Sequence, residues 1–330
     1  MIGDFYFTES HLRRKRVNFN WVILHNHKFV SIFPEGYDIM FTQFFGNYLL
    51  NQNLVSPEHL SDALQQQSKT RLKLGVLAIN GGFLTADQVE RAHREQQRTD
   101  MRIGDVMVGM GLLTQNQVDT LLKAQPSGHL LLGQTLVDKG YMTTSQFEAA
   151  LSEYKRENSI NDEDFKNIDD RAVRKLVDHF YSFDSNGAIY MTSYVSLLFR
   201  NLVRFIGDDF TPMDAHAFCG AVLKCIEQRI SGGMSAITLI DADASAMIEF
   251  ASRFAKENLT SDDEYTHACV SEFLNLNNGL FAVNVSNDSG LELKLEPQSY
   301  YDSLDIKSLS DACVIPVRFS FGEVDFIISM

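Results

Sequence analysis

The sequence predicts an α+β chain: a helical repeat region, followed by a C-terminal domain in which helices cover a mainly antiparallel sheet. Three observations carry this. A pattern recurs four times at a spacing of 29 residues between Phe44 and Tyr154. Past residue 188, segments of helical and strand period follow in the order helix, hairpin, helix, helix, strands. Between the two regions lies a polar, acidic stretch, residues 157–170, that reads as a solvated connector. The expected units are an N-terminal extension (1–43), the repeats (44–155), the linker (156–187) and the C-terminal domain (188–330).

The chain of 330 residues has room for two domains, and 45% hydrophobic residues suffice for a real core. A net charge of −14 sets it against nucleic acid and anionic membrane surfaces, whose phosphates it would repel. No apolar run approaches membrane-spanning length, so no membrane insertion is expected. Cys219, Cys225, Cys269 and Cys313 are scattered, with no C-x-x-C pair and no histidine at ligand spacing. They read as reduced thiols of a cytoplasmic protein, and no metal site is expected.

The extension holds the basic run Arg13-Arg14-Lys15-Arg16 and the single tryptophan, Trp21. Its apolar run at 21–24 is broken by His25, His27 and Lys28, which argues against a signal peptide. Translation starting at Met40, just ahead of the first repeat, would leave residues 1–39 without an evolved role; N-terminal sequencing showing Met1 would sink that expectation.

Aligning on Gly46, Gly75, Gly104 and Gly133 gives copies that start at Phe44, Lys73, Arg102 and Leu131. In the third copy an apolar segment at 106–108 leads to a turn at Gly111, where glycine tolerates positive φ. The equivalent positions are Asn53, Gly82 and Gly140. Three residues later come Ser56, Thr85, Thr114 and Thr143, each an N-cap for a helix such as 115–125, with Val118, Leu121 and Leu122 on one face. One copy cannot bury that stripe alone, so copies must stack.

These copies resemble the motif R-L-G-x-x-(L/V/I)-(L/V/I)-x-x-G-(L/V/I)-(L/V/I)-x4-L-x3-L-x2-Q of MshEN domains, found at the N-termini of type II secretion and type IV pilus ATPases. Arg102-Ile103-Gly104, Gly111 and Gln125 match it with conservative changes. Lys73-Leu74-Gly75, Gly82 and Gln96 match with lysine for arginine, and with His93 at a leucine position. Copies one and four carry Phe44 and Leu131 in place of arginine, and copy one has Asn53 for glycine. The resemblance implies two tandem domains and a cyclic di-GMP site at Lys73, Leu74, Gly75, Gly82, Arg102, Ile103, Gly104 and Gly111. A dianionic nucleotide needs cationic partners. If consecutive copies pair, each pair keeps one basic residue. GGDEF and EAL signatures are absent, so the chain would sense the nucleotide without making or cleaving it. A purely structural array, or docking to pilus or secretion machinery, stays open.

In the C-terminal region a short helix at 171–183 ends at Ser185-Asn186-Gly187, and a second helix spans 193–207. Strands at 221–230 and 235–240 flank the hairpin signal Ser231-Gly232-Gly233. An amphipathic helix at 243–258 precedes the helix holding Glu272 and Asn275. Residues 291–295 alternate as a half-buried strand and stop before Pro297, and strands at 313–319 and 323–329 close the chain. The last, apolar and near the chain end, is expected to pair edge to edge in a homodimer.

Glu272 and Asn275, three apart on a helix, share a face and join a cation-pairing carboxylate to a carboxamide able to position water. Asn277 and Asn278 are expected to face elsewhere. Ser271 or Cys269 as nucleophile would have only His267 as a nearby base.

Hairpin, alanine-rich helix, then Glu272-x-x-Asn275 with Gly279 four residues on resembles the CheX/CheC family of chemotaxis phosphatases over roughly residues 190–329. The resemblance implies hydrolysis of the aspartyl phosphate of a response-regulator receiver, with Mg²⁺ held by the receiver and no cofactor on this chain. Asn275 would orient the water and Glu272 would pair with the receiver's lysine. A CheX-like adaptor without catalysis, or a cyclic di-GMP receptor acting through the repeats, are the alternatives.

Overall fold

A computed structural model describes residues 35–123, 128–158, 170–183, 187–306, 309 and 312–330. The basic run at 13–16, Trp21, His25, His27 and Gln125 lie outside them, as does most of the acidic stretch.

Each repeat copy is two helices joined by a tight turn. Copy one comprises the end of α1 (Glu35–Asn51) and α2 (Pro57–Gln66), and copy two α3 (Leu74–Asn80) and α4 (Ala86–Thr99). Copy three is α5 (Ile103–Gly109) and α6 (Gln115–Leu122), and copy four α7 (Gly128–Asp138) and α8 (Thr144–Glu157). Between the helices, Asn53, Gly82, Gly111 and Gly140 take φ of 53, 68, 69 and 73°, so the turn is left-handed in every copy. Asparagine serves in copy one because it is among the few residues with a side chain that visit this region. The caps fall where the sequence places them. Ser56 accepts from the His59 amide; Thr85, Thr114 and Thr143 accept from Gln88, Gln117 and Gln146, whose side chains reach back to the cap amides.

The copies do not stack in chain order. The principal contacts of copy four run from α7 to α1 and α2, and from α7 and α8 to copy two. Copy three packs on copy two, α5 on α4 and α6 on α3. Consecutive pairing of one with two and three with four is therefore not the arrangement found. The reason lies in α1, whose buried Phe45 meets the rings of Phe147 and Tyr154 at 6.3 and 5.2 Å, closing copy four onto copy one.

The second half opens with α9 (Asp170–Tyr181) and α10 (Ala188–Phe205). The strands are β1 (Phe210–Pro212), β2 (His216–Ala217), β3 (Ala221–Gly232), β4 (Ala236–Ala242), β5 (Leu293–Leu295), β6 (Ser299–Ile306), β7 (Cys313–Phe319) and β8 (Gly322–Ser329). They form one antiparallel sheet in the order β1-β7-β8-β4-β3-β5, with β2 also on β7 and β6 also on β3. Helices α11 (Ala244–Ala255) and α12 (Glu264–Ser289) follow the β3–β4 hairpin; α11 packs on β8 and α12 on β3, β4, β5 and β6. The order and the antiparallel pairing agree with the predicted class. Strand β6 is missing from the sequence reading because its polar residues, from Ser299 to Asp305, do not alternate cleanly. The expected dimer edge is overturned: β8 is hydrogen-bonded to β7 on one side and β4 on the other, so its backbone has no open edge.

Helix α1 begins at Glu35, ahead of both Met40 and Phe44, and joins the two halves. Gln43, Asn47 and Asn51, four residues apart, form one stripe. They donate to the Asp208 carbonyl, the Pro212 carbonyl (2.7 Å) and the Asp214 carboxylate (3.1 Å), along edge strand β1. Phe44 is buried, with the rings of Phe180 and Phe199 at 4.8 and 5.8 Å. That contact explains an aromatic residue at the position where copies two and three carry Lys73 and Arg102. Among the described residues no helix is long and apolar enough to cross a membrane.

Candidate functional site

Helix α12 starts where the Asp263 carboxylate accepts from the Tyr265 and Thr266 amides, both at 3.1 Å, and ends at Gly290 with φ 70°. Its buried Phe273 and Phe281 pack against the rings of Phe250 and Tyr194 at 5.0 and 5.2 Å. This leaves Glu272 and Asn275 half-buried, one turn apart. Burial raises the Glu272 carboxyl above the ordinary range, while its hydrogen bond with Asn275 acts in the opposite sense.

A chain of side chains stands behind Asn275. Gln228 of β3 donates through Nε2 to Asn275 Oδ1 and to the Glu296 carbonyl, each at 2.9 Å. Its Oε1 accepts from Asn278 Nδ2 at 2.8 Å. Asn278 Nδ2 also donates to Thr238 Oγ1 at 2.8 Å, and Asn278 Oδ1 accepts from the Tyr194 hydroxyl at 2.7 Å. The Thr238 hydroxyl in turn donates to the Gln228 carbonyl at 3.0 Å. Tyr194, Gln228, Thr238 and Asn278 are buried, and each finds partners, as a polar group in a core must.

Asn278 points into the core, off the face that carries Asn275, yet reaches Asn275 through Gln228. Asn277 is buried and accepts from Asn201 Nδ2 at 2.8 Å. Gln228 and Thr238 escaped the sequence reading. The signal was present: they are polar residues on the core-facing side of the hairpin, directly paired, with Ile226 and Ile230 flanking Gln228 on that face. Gly279 has no crowding to relieve, since a Cβ there would lie 3.8 Å from Leu295.

His267, the base nearest Ser271 and Cys269, is engaged through one ring nitrogen with Asp262. His267 Nε2 lies 2.6 Å from Asp262 Oδ1 and its ring stacks on Tyr300 at 3.7 Å. Asp262 also accepts from Lys224. Burial pushes the Cys269 thiol up to about 11, away from thiolate.

In the repeats, Lys73 and Arg102 are exposed residues that precede α3 and α5. Leu74 and Gly75 are buried and Ile103 and Gly104 half-buried. A Cβ on Gly104 would lie 3.5 Å from Leu74 Cδ2, so the starts of these two helices touch. Gly82 and Gly111 are in turns beyond the far ends of the same helices. Lys73 is already paired with Asp138 at 2.5 Å.

No family model matches the chain, and no curated protein does. Solved structures of similar fold include a chemotaxis protein CheX from Desulfovibrio desulfuricans, at 14% identity and TM-score 0.36, over 43% of this chain and 98% of that one. A CheC-like superfamily protein from Shewanella sp. PV-4 is 16% identical with TM-score 0.37, over 42% of this chain and 95% of its own. A CheX–CheY–BeF3–Mg²⁺ complex from Borrelia burgdorferi contributes a chain 18% identical with TM-score 0.37, over 42% of this chain and 96% of its own.

Proposed function

We propose that the chain hydrolyses the aspartyl phosphate of a response-regulator receiver domain in chemotaxis or a related motility pathway. One observation carries this reading: Glu272 and Asn275 stand together on a half-buried face of α12, with the Asn275 carboxamide held from behind by Gln228. Acyl-phosphate hydrolysis needs in-line attack by a positioned water and little covalent chemistry from the protein. Asn275 Oδ1 accepts one hydrogen bond from Gln228 and keeps a lone pair for the proton of that water. Glu272 supplies a carboxylate for the receiver's lysine, and the Mg²⁺ belongs to the receiver.

The test uses a CheY-type receiver, the partner class in the Borrelia burgdorferi complex, charged with acetyl phosphate. The wild-type chain accelerates phosphate loss, and Asn275→Ala abolishes the acceleration while still binding the beryllofluoride-loaded receiver. Binding without any acceleration by the wild type leaves the adaptor reading in its place.

A second reading concerns the repeats. The copies that keep a basic first residue, two and three, are packed on each other, with Leu74 against Gly104. This supports one cyclic di-GMP site shared by Lys73 and Arg102. Calorimetry showing no heat with cyclic di-GMP, or equal heat with Arg102→Ala, removes it.

A further inference from the structure

We infer that Gln228 is a positioning residue, which sets the sense of the Asn275 carboxamide and so fixes where its Oδ1, with one lone pair still free, and its Nδ2 lie for an incoming receiver. The inference rests on the reading of Asn275 as the water-orienting group. The geometry that carries it is the direction of the hydrogen bonds. The Glu296 carbonyl can only accept, so the Gln228 group 2.9 Å from it must be Nε2. The second Nε2 hydrogen then goes to Asn275, which must present Oδ1 to it.

The other end of the chain agrees. Gln228 Oε1 takes a hydrogen from Asn278 Nδ2, whose second hydrogen goes to Thr238 Oγ1, and the Thr238 hydrogen goes to the Gln228 carbonyl. Asn278 Oδ1 is left to accept from Tyr194. The donors behind Asn275 run in one direction: Tyr194 to Asn278, to Gln228, to Asn275. Reversing one carboxamide would set two donors or two acceptors against each other at a buried contact. Gln228 is 1% exposed and sits on a strand paired on both sides, so it is a stiff reference for a residue at the protein surface.

Two variants test this. Gln228→Met keeps the shape and removes the hydrogen bonds. Gln228→Glu keeps the shape and, when ionised, turns the donor into an acceptor facing Asn275 Oδ1 and the Glu296 carbonyl. Against a CheY-type receiver charged with acetyl phosphate, Gln228→Met is expected to lower kcat on the order of tenfold to a hundredfold. Its affinity for the beryllofluoride-loaded receiver is expected to stay within about twofold, because Glu272 still docks. For Gln228→Glu, the ratio of its kcat to wild type is expected to rise as pH falls, since a protonated carboxyl again donates. Measuring kcat at saturating receiver, with Glu272 already engaged, keeps the titration of Glu272 out of that ratio. Unchanged kcat in Gln228→Met, or a pH-independent ratio for Gln228→Glu, overturns the inference.

A second readout does not require activity. In protein labelled with ¹⁵N at asparagine, the two Asn275 side-chain amide proton signals are expected to shift, and to exchange faster with solvent, in Gln228→Met than in wild type. Identical signals in the two proteins overturn the inference even if the wild type proves inactive. Inactivity alone counts against the phosphatase reading.

Discussion

The ring of Phe147 rests on Gly133 so closely that a Cβ on that residue would lie 2.0 Å from Phe147 Cε2. The same position in copy three is looser, with a Cβ on Gly104 3.2 Å from Val118 Cγ1, and Gly109 of α5 meets nothing within 4 Å. Three alanine substitutions should therefore separate close packing from helix propensity. Gly109→Ala gains roughly 0.5–1 kcal/mol by restricting the unfolded chain. Gly104→Ala is near neutral, its propensity gain offset by a small shift of Val118. Gly133→Ala loses roughly 1–3 kcal/mol to overpacking. Urea denaturation midpoints give the order, and a stabilised Gly133→Ala would show that α7 and α8 are not held at this distance.

Asn47 donates to the Pro212 carbonyl from a position with no solvent exposure, so its removal leaves a buried acceptor unmet. Asn47→Ala is expected to lower stability by about 1–3 kcal/mol. Because this contact ties copy one to strand β1, amide exchange should accelerate in both halves of the chain. Acceleration confined to α1 would mean that the two halves open independently.

Much of this was legible in the residues, for identifiable reasons. Repeat turns and caps depend on local backbone demands, so Gly111 and Thr114 announce them without knowledge of neighbours. The facing of Glu272 and Asn275 follows from helical periodicity alone. The stacking order of the copies depends on which apolar stripes meet, and nothing local to Phe45 says that Phe147 will be its partner. Gln228 was hidden for the same reason: its role exists only once β3 lies under α12. The interior place of β8 illustrates the limit most simply, since position in the chain does not fix position in a sheet.

Glu272 gives the proposed reaction a pH dependence. Burial holds its carboxyl above the ordinary range, and pairing with a lysine needs the ionised form. Receiver binding and kcat/KM should therefore rise with pH across the acid range, with a midpoint above that of an ordinary glutamate. In Glu272→Gln the rise should vanish and affinity fall, while kcat at saturating receiver changes less than in Asn275→Ala. An unaltered pH profile in Glu272→Gln would remove this residue from docking. As a raised carboxyl, Glu272 also favours the folded state less as pH rises.

A second carboxylate contact predicts a pH dependence of stability alone. Asp241 of β4 and Asp325 of β8 face each other across adjacent antiparallel strands, both half-buried. Burial and the neighbouring Asp325 raise Asp241 to about 6. Asp325 is raised by its own burial and by Glu323, with His216 pulling the other way. An unfolded aspartate titrates near about 3.9. Between those values the folded chain holds a proton that the unfolded chain has lost, so stability falls as pH rises through the window. Its contribution is complete below the lower value and gone above the upper one. Because the pair is partly solvated, the effect is about 1 kcal/mol after allowing for screening. Asp241→Asn should match wild type near pH 4 and exceed it at pH 7.5, because the amide never carries the repelling charge. Urea midpoints at pH 4, 5, 6 and 7.5 decide the matter. Curves for the two proteins that stay parallel across this range would mean that Asp241 ionises freely beside Asp325.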